Sequence, residues 1–205
     1  MFVLTSDEKL AKVISVDNIS NPTLNLPQGK IYKFQRQELI QPYSSSLWYI
    51  NKGIVRVSTF DEDGILISLG FWSAGDIVGS RLSDIVPYQI ECLTEVEATM
   101  LHPFVVCPDS ALLAHVKRME DFLQITQQKM VKKRLILFLK WLFCRFGQDT
   151  KEGKQLNLHL THDQIAEAIA TSRVTVTRLM KQLHQEGILR WSRKSHLLLN
   201  DFTKG

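Results

Sequence analysis

The chain has 205 residues, 44% hydrophobic and 22% charged, enough for one large domain or two modest ones and ordinary for a soluble globular protein. Its most apolar run, residues 135–143, is interrupted by Lys140 and is far shorter than a membrane span, and the N-terminal residues do not form a secretory signal. Three scattered cysteines, Cys92, Cys107 and Cys144, indicate reduced thiols in a cytoplasmic protein instead of a disulfide framework.

Charge is distributed unevenly along the chain. Residues 132–205 contain fourteen Lys and Arg against six Asp and Glu, a net charge of +8, whereas residues 1–131 carry a net charge of −4. A basic C-terminal third on an acidic body favours a polyanion-binding surface at the C-terminal end. Uneven surface charge without any partner is the alternative.

The N-terminal half has the pattern of a β-sheet domain. Residues 1–25 are weakly patterned, and residues 26–106 consist of short alternating segments separated by turn residues. Lys52-Gly53 and Asp63-Gly64 supply the positive φ angles that hairpin turns require. Regular strands at this spacing predict an antiparallel barrel or jelly roll, in a domain of residues 1–109.

This domain lacks the residues of an enzyme or of a metal centre. His102 is the single histidine of residues 26–106, so the several inward ligands that a metal ion needs are missing. Neither a nucleophile with a neighbouring base nor a Gly-rich phosphate loop of the kinase type is present. We therefore predict no catalytic residues and no metal site.

A long helix is predicted next, from Ser110 to Met130. Six of its residues recur at alternating steps of four and three, which is the spacing of a heptad seam. They are Leu112, Val116, Met119, Leu123, Thr126 and Met130. Residues 110–131 are therefore predicted to be a dimerisation helix, and an ordinary core helix fits the spacing nearly as well. An apolar helix over residues 134–146 and a polar surface loop over residues 147–154 are expected to follow.

Residues 160–189 are predicted to form two helices joined by a tight turn. Thr161 and Gln164 match the capping box that begins a helix, and Ser172 is a good N-cap for the second helix, residues 173–186. At Ala170 in the turn, a left-handed backbone would cost on the order of 1 kcal/mol. The apolar spacing of the second helix buries one stripe, which consists of Val176, Leu179, Met180 and Leu183.

The opposite side of the second helix is basic and is predicted to be exposed. It carries Arg173, Val174, Thr177, Arg178 and Lys181. Such a helix can enter the major groove of DNA, where a guanidinium pairs with guanine and a methyl-bearing side chain contacts thymine. A helix pair with a basic outer face is also often only a solvated surface.

The flanking segments favour the DNA-binding interpretation. Residues 155–160 alternate with Leu156, Leu158 and Leu160 inward, and residues 189–200 have the pattern of a hairpin with Arg193 and Lys194 at its tip. Strand, helix, turn, helix and hairpin is the order of a winged helix. The wing would carry Arg193 and Lys194 to DNA phosphates.

Barrel, dimer helix and winged helix, in this order, resemble the cyclic-AMP receptor protein and FNR family of bacterial transcription regulators over the whole chain. "YINKGIVRV" and "SAGDIVG" resemble the glycine-marked hairpins of that family, and "IAEAIATSRVTVTRLMKQL" is similar to its branch containing the cyanobacterial nitrogen-control regulator. The implied fold class is α+β. It combines an N-terminal antiparallel β-jelly-roll sensor domain of the cyclic-nucleotide-binding type, a long dimerisation helix and a C-terminal winged helix-turn-helix domain, residues 132–205.

The resemblance also implies roles for individual residues. Arg173, Val174 and Arg178 would occupy the base-reading positions, with Thr175 near phosphate, and the branch implies a palindromic site with GTA and TAC ends. Val174 stands where members that read another operator have Glu, which implies a different central base. The predicted DNA-contacting residues are Thr161, Arg173, Val174, Thr175, Thr177, Arg178, Lys181, Arg193 and Lys194.

The effector segment departs from the family pattern. Members that bind cyclic AMP have a Gly-Glu pair followed by an Arg-Ser pair, whereas here Gly79 precedes Ser80 and residues 75–87 contain one cation, Arg81. Cyclic AMP is therefore not the expected ligand, and the ligand sets of an iron–sulfur cluster or haem are absent from the sequence. Two arrangements remain open: Asp76 and Asp84 face solvent and Arg81 binds the ligand, or Arg81 lies on the surface of a short helix. The second is preferred.

These features predict a homodimeric, sequence-specific transcription regulator that reads a palindromic promoter site through residues 173–186. Its expected partners are double-stranded DNA and RNA polymerase. Two alternatives remain open for the barrel: it binds an unidentified small-molecule effector, or it binds none. The alternative is a ligand-binding or protein-interaction module whose helix pair no longer reads DNA. Arg173, Arg178 and Lys181 favour the first function, because acidic or bulky apolar residues would favour the second.

Overall fold

The computed structural model describes residues 29–41, 46–102, 104, 107–151, 153–192 and 196–199. These residues belong to two compact units, one ending at Leu123 and the other beginning at Gln124. None of the described helices is both long and apolar enough to cross a membrane.

The first unit is the predicted antiparallel jelly roll. Its strands are β1 Ile31–Phe34, β2 Leu39–Ile40, β3 Leu47–Lys52, β4 Ile54–Phe60, β5 Leu66–Ser73, β6 Ile77–Val78, β7 Gln89–Cys92 and β8 Val96–Leu101. They form two four-stranded sheets with the orders β1-β8-β3-β6 and β2-β7-β4-β5. Gly64, with a φ angle of 77°, connects the paired strands β4 and β5, which confirms the hairpin predicted at Asp63-Gly64. Gly53 has the predicted positive φ angle, 95°, but it connects β3 to β4 in the other sheet, so the hairpin predicted at Lys52-Gly53 was wrong.

Apolar side chains from both sheets fill the interior of the jelly roll. Twelve buried residues form one cluster, in which Trp48, Trp72 and Tyr88 are the largest. Tyr32 packs edge-on against Trp48 with ring centroids 5.4 Å apart. Cys92 belongs to the same cluster, and burial raises the pKa of its thiol to about 12, so the thiol stays protonated at neutral pH.

A helix, α1 (Asp109–Thr126), packs against the jelly roll through one side. Phe122 meets Phe71 at a centroid distance of 5.8 Å, and the ring of His115 stacks on Trp72 at 5.1 Å. Arg118 forms a buried ion pair with Asp76, whose carboxylate also accepts a hydrogen bond from the Ser73 amide at 2.8 Å.

Helix α1 ends four residues before Met130, so the predicted helix of residues 110–131 was too long. The carbonyls at its C-terminal end find partners outside the helix ladder, because the side-chain amide of Gln128 donates to the Gln124 carbonyl at 2.9 Å. Met130 has an extended backbone and is the N-cap of the following helix. It therefore does not continue the heptad seam.

The second unit is the predicted winged helix. It contains α2 Val131–Phe146, β9 Gly147–Thr150, β10 Gly153–Leu156, α3 His162–Ala168, α4 Arg173–Gln185, β11 Leu189–Ser192 and β12 His196–Leu199. The strands form one antiparallel sheet in the order β11-β12-β10-β9. Leu156, Leu158 and Leu160 are buried as predicted, although the strand ends at Leu156.

The polar segment after α2 is a hairpin, and the surface loop predicted for residues 147–154 was wrong. Strand β9 pairs with β10 from Gly147 opposite Leu156 to Thr150 opposite Gly153. Because β9 lies at the edge of the sheet and its last three residues are exposed, it carries no apolar alternation that could identify it as a strand.

Candidate nucleic-acid interface

Helix α3 begins with the predicted capping box. The amide of Gln164 donates to Thr161 Oγ1 at 3.1 Å, and the amide of Thr161 donates to Gln164 Oε1 at 3.0 Å. Two amides that the helix leaves without partners are thereby satisfied. Ile165, Ala166 and Ala168 are buried, which fixes the side of α3 that faces the domain core.

The turn between α3 and α4 is tight and left-handed. Ala170 has a φ angle of 49°, which lies in the left-handed region, and its side chain is exposed. Arg134 of α2 donates to the Ala170 carbonyl at 3.1 Å, and the Thr171 amide donates to the Ala166 carbonyl at 3.0 Å. These hydrogen bonds hold the turn despite the unfavourable backbone conformation.

Helix α4 presents the predicted two sides. Ser172 is its N-cap and accepts a hydrogen bond from the Thr175 amide at 3.2 Å. The stripe predicted to be buried is buried: Val176, Leu179, Met180 and Leu183. Since this stripe anchors α4 in the core, the opposite side of the helix must face outward.

The structure brings five of the predicted DNA-contacting residues together on that outward side. Arg173, Val174, Thr177, Arg178 and Lys181 are all exposed, and steps of three and four place them on one face of α4. Val174 is 77% exposed although it is apolar. A valine held in solvent on a basic helix face suits contact with a thymine methyl group.

The other predicted contact residues lie around this face. Thr161 is exposed at the start of α3, and Thr175 is half-buried, with its hydroxyl 2.9 Å from the hydroxyl of Ser172. Strands β11 and β12 pair from Leu189 opposite Leu199 to Ser192 opposite His196, so the wing hairpin is present. Its tip residues Arg193 and Lys194 lie outside the described residues.

Sequence reasoning missed two residues of α3 that contact the exposed side of α4. His162 Nδ1 lies 2.8 Å from Thr177 Oγ1, and the carboxylate of Asp163 lies 3.7 Å from Arg173 Nε. Partial burial lowers the pKa of His162, and the positive charge of Arg173 lowers it further, so its imidazole is neutral at pH 7. The capping box places both residues in the first turn of α3. Their partners lie on α4, and the sequence pattern of α3 does not show where α4 crosses it.

The C-terminal end of α4 is tied to α2. Lys132 Nζ forms an ion pair with Glu186 at 2.9 Å, and Gln182 donates to the same carboxylate at 2.8 Å. Hydrogen bonding to Lys132 lowers the pKa of Glu186. Together with the hydrogen bond from Arg134 to the turn before α4, these contacts connect the first residues of α2 to both ends of α4.

The predicted dimer seam is exposed along α1. Leu112, Val116, Met119 and Leu123 are between 38% and 57% exposed, whereas Phe122 on the side facing the jelly roll is buried. Thr126 is half-buried at the end of the helix, and Met130 is exposed beyond it. An 18-residue helix with a continuous apolar stripe on its solvent side has the form expected of one half of a helix pair.

The effector segment follows the preferred arrangement for Arg81. Residues Ser80–Leu82 form a single 3-10 turn, and Arg81 is exposed on it. Asp84 is exposed, but Asp76 is buried and paired with Arg118, so the arrangement in which both aspartates face solvent was wrong. Among the described residues, no three His, Cys, Asp or Glu side chains are grouped so that they could hold a metal ion.

Comparisons with known proteins agree with this architecture. Residues 133–204 match the Crp-like helix-turn-helix domain. The chain is 36% identical to the regulatory protein CysR of Synechococcus elongatus over 155 residues. This match covers 74% of this chain and 75% of CysR. It is also 32% identical to the global nitrogen regulator of a Synechocystis species over 93 residues, and this match covers 42% of this chain and 41% of the relative.

Solved structures share the fold over most of the chain. A CRP-family transcriptional regulator from Thermus thermophilus has a TM-score of 0.71 at 23% identity and covers 83% of this chain and 92% of that one. FixK2 from Bradyrhizobium japonicum has a TM-score of 0.71 at 17% identity, and the match covers 86% of this chain and 95% of FixK2. With the jelly roll, the winged helix and the similarity to CysR in agreement, this chain belongs to the CRP/FNR family of homodimeric transcription regulators that bind DNA through a helix-turn-helix.

Proposed function

We propose that this regulator reads a two-fold symmetric promoter site by placing one α4 helix from each protomer in successive major grooves. The observation that carries the proposal is the exposed side of α4, where Arg173, Val174, Thr177, Arg178 and Lys181 stand over a fully buried stripe. Major grooves on one side of B-DNA are about 34 Å apart, and paired recognition helices fit that spacing.

Each side chain on this face has a chemical role in the proposal. Arg173 and Arg178 donate to guanine O6 and N7, while the methyl groups of Val174 and Thr177 contact thymine. Lys181 adds positive charge along the groove. Thr161 and Thr175 at the rim, together with Arg193 and Lys194 of the wing, approach phosphates, and the half-sites end in GTA and TAC.

The remaining parts of the chain serve this reading. We assign residues 1–109 to the sensor domain, residues 110–131 to the dimerisation segment and residues 132–205 to the DNA-binding domain. In this assignment the apolar stripe of α1 pairs with its copy in a second protomer. RNA polymerase is the further partner through which a promoter-bound regulator would act, and the cytoplasm is where it would meet both.

Cyclic AMP does not suit the sensor domain as its effector. A buried cyclic phosphate needs a cation or several amide groups around it, because an unpaired buried charge is unfavourable. The interior carries the aromatic cluster of Trp48, Trp72 and Tyr88, and Arg81 lies outside on an exposed turn. Operator binding is therefore proposed to proceed without an added cyclic nucleotide.

Competition binding tests the proposed function. A labelled duplex with GTA and TAC ends is bound by the full-length protein and displaced by the same unlabelled duplex or by a scrambled duplex of equal length and composition. We expect the palindrome to compete at least about 1000-fold better, with both affinities falling as salt rises. Equal competition by the two duplexes would contradict sequence reading and favour a module that no longer reads DNA.

A further inference from the structure

The first turn of α3 supplies two side chains that hold the reading side of α4. Asp163 contacts the Nε edge of Arg173 at 3.7 Å, and His162 Nδ1 contacts Thr177 Oγ1 at 2.8 Å. Arg173 and Thr177 are two of the four side chains to which base contacts are assigned above, whereas neither α3 residue was assigned a contact with DNA. The two contacts converge on one turn of α4, because Thr177 also donates to the Arg173 carbonyl at 2.9 Å.

The hydrogen positions in this network follow from that last bond. The single hydroxyl hydrogen of Thr177 is used by the Arg173 carbonyl, so Thr177 must accept the bond from His162. His162 therefore carries its hydrogen on Nδ1. With the oxygen of Thr177 held by two partners, its χ1 angle is fixed, and the methyl group on the same carbon is fixed with it.

Arg173 is constrained in a complementary way. Asp163 approaches the Nε atom of Arg173. In an end-on bidentate pair, guanine is contacted by the two terminal guanidinium nitrogens, so the ion pair with Asp163 leaves those nitrogens to the base. The side chains of Arg173 and Asp163 are 69% and 58% exposed, so this pair contributes little to folding. We expect the pair to affect DNA binding instead, because Asp163 orients the Arg173 guanidinium before binding and places a negative charge beside the DNA surface.

We propose that Asp163 and His162 are specificity-determining positioning residues, which hold Arg173 and Thr177 in the geometry that reads bases. The proposal rests on the proposed function, because it requires Arg173 and Thr177 to face base edges. Asp163 also acts against nonspecific binding, since its carboxylate repels every phosphate but is tolerated where Arg173 finds its guanine.

The test compares Asp163→Asn with Asp149→Asn in the full-length protein. Asp149 is 85% exposed and pairs with Lys154 at 3.1 Å on the β9–β10 hairpin, so both variants remove one exposed carboxylate that belongs to an ion pair. Binding is measured to the palindrome and to duplexes with one symmetric base-pair change each. The base pair that loses discrimination in Arg173→Ala is the one that Arg173 reads.

For Asp163→Asn we expect nonspecific affinity to rise about 2-fold to 5-fold and discrimination at the Arg173 base pair to fall about 5-fold to 10-fold. Asp149→Asn should change affinities for all duplexes alike and leave discrimination intact. In an Arg173→Ala background, Asp163→Asn should cause no further loss at that base pair. Discrimination is a ratio of affinities, so a reduced fraction of folded protein does not alter it.

His162 is tested by rescue. His162→Ala should lower discrimination at the base pair that Thr177 contacts, and His162→Asn should restore it, because the asparagine amide places an N–H close to the position of Nδ1. Equal behaviour of Asp163→Asn and Asp149→Asn, or failure of His162→Ala to change discrimination, would overturn the positioning role. Wild-type preference for the palindrome would then still support the proposed function, whereas loss of any preference in the wild type would refute that function itself.

Discussion

Ala170 carries the backbone strain of the helix-turn-helix. Its φ angle of 49° lies in the left-handed region, which disfavours a residue with a Cβ atom by roughly 1–2 kcal/mol. Its side chain is exposed, so removal of the methyl group would lose no core packing. The strain is held by contacts of the turn backbone, including the hydrogen bond from Arg134.

Replacement of Ala170 by glycine should therefore stabilise the second unit. We expect a gain of up to about 1 kcal/mol, because relief of the left-handed strain exceeds the added entropy of the unfolded chain. Urea unfolding followed by circular dichroism measures the change. Ala166→Gly is the matched control, since Ala166 is buried inside α3 and its replacement should destabilise by about 1 kcal/mol or more. A lower stability of Ala170→Gly would contradict the strain argument.

Prediction from sequence worked best for residues whose role is local. Thr161, Gln164 and Ser172 act within one helical turn, so their capping bonds could be inferred from spacing alone. His162 and Asp163 were missed because their partners lie on another helix. The spacing of one helix does not reveal where a second helix crosses it.

At the scale of single elements, α1 is attached to the jelly roll by polar as well as apolar contacts. Trp72 Nε1 donates to His115 Nδ1 at 3.0 Å, so this ring nitrogen is an acceptor and carries no proton. Burial lowers the pKa of His115, and Arg118 acts in the same direction, while the Ile77 carbonyl and Asp76 oppose them. Protonation at Nδ1 would remove the acceptor of Trp72.

This arrangement predicts a stability that depends on pH. The pKa of His115 is below its usual value of 6.5 in the folded state, so its contribution is fully present above about pH 7 and is lost as the pH falls below 6.5. Urea unfolding between about pH 5 and pH 8, followed by tryptophan fluorescence, should show a falling free energy of unfolding toward acid. His115→Gln removes the titrating group and should flatten this slope. An unchanged slope in the variant would show that His115 is not its source.

The exposed stripe of α1 predicts where the protomers meet. Val116→Glu together with Leu123→Glu should give a monomer or an unfolded chain, because burial of an unpaired carboxylate costs several kcal/mol per ion. Sedimentation velocity measures the oligomeric state. Lys117→Glu with Gln124→Glu is the matched control, since helical spacing places both residues away from the stripe and both are exposed. A stable dimer of the first double variant would place the interface elsewhere.

Element boundaries were harder to predict than element types. The heptad spacing continues to Met130, but the helix stops at Thr126. The Gln128 side chain donates to the Gln124 carbonyl in its last turn, and Arg134 donates to the Gln128 carbonyl beyond it. Likewise, β9 is a strand because β10 pairs with it, not because its own residues alternate. The pairing partner of β9 lies in another strand, and the apolar pattern of a single segment does not reveal it.

At the scale of the whole molecule, the charge distribution and the interior of the jelly roll point to different properties. The net charge of +8 over residues 132–205 favours DNA, and the buried aromatic cluster of the jelly roll disfavours a charged ligand there. The sequence predicted the fold of both units, because each has its own strand or helix periodicity. It could not predict that Asp76 is buried, since Arg118 that neutralises it lies far along the chain.

The sensor domain is therefore expected to bind cyclic nucleotides poorly. Isothermal titration calorimetry with cyclic AMP and cyclic GMP should give dissociation constants no tighter than about 1 mM, and operator binding should be measurable without either compound. Arg81→Ala is the control for a phosphate contact. Micromolar affinity that is abolished by this substitution would contradict the expected weakness and give Arg81 a ligand-binding role.

Selection of bound duplexes from a pool of random sequences tests the central claim most directly. The full-length dimer should enrich a two-fold symmetric motif with GTA and TAC ends and half-site centres about one helical turn apart. The Arg173→Ala variant should enrich the same motif with discrimination lost at one symmetric base pair, a change of about 1–3 kcal/mol in specific binding. A motif without two-fold symmetry, no enriched motif, or an Arg173→Ala motif identical to that of the wild type would contradict reading by paired α4 helices.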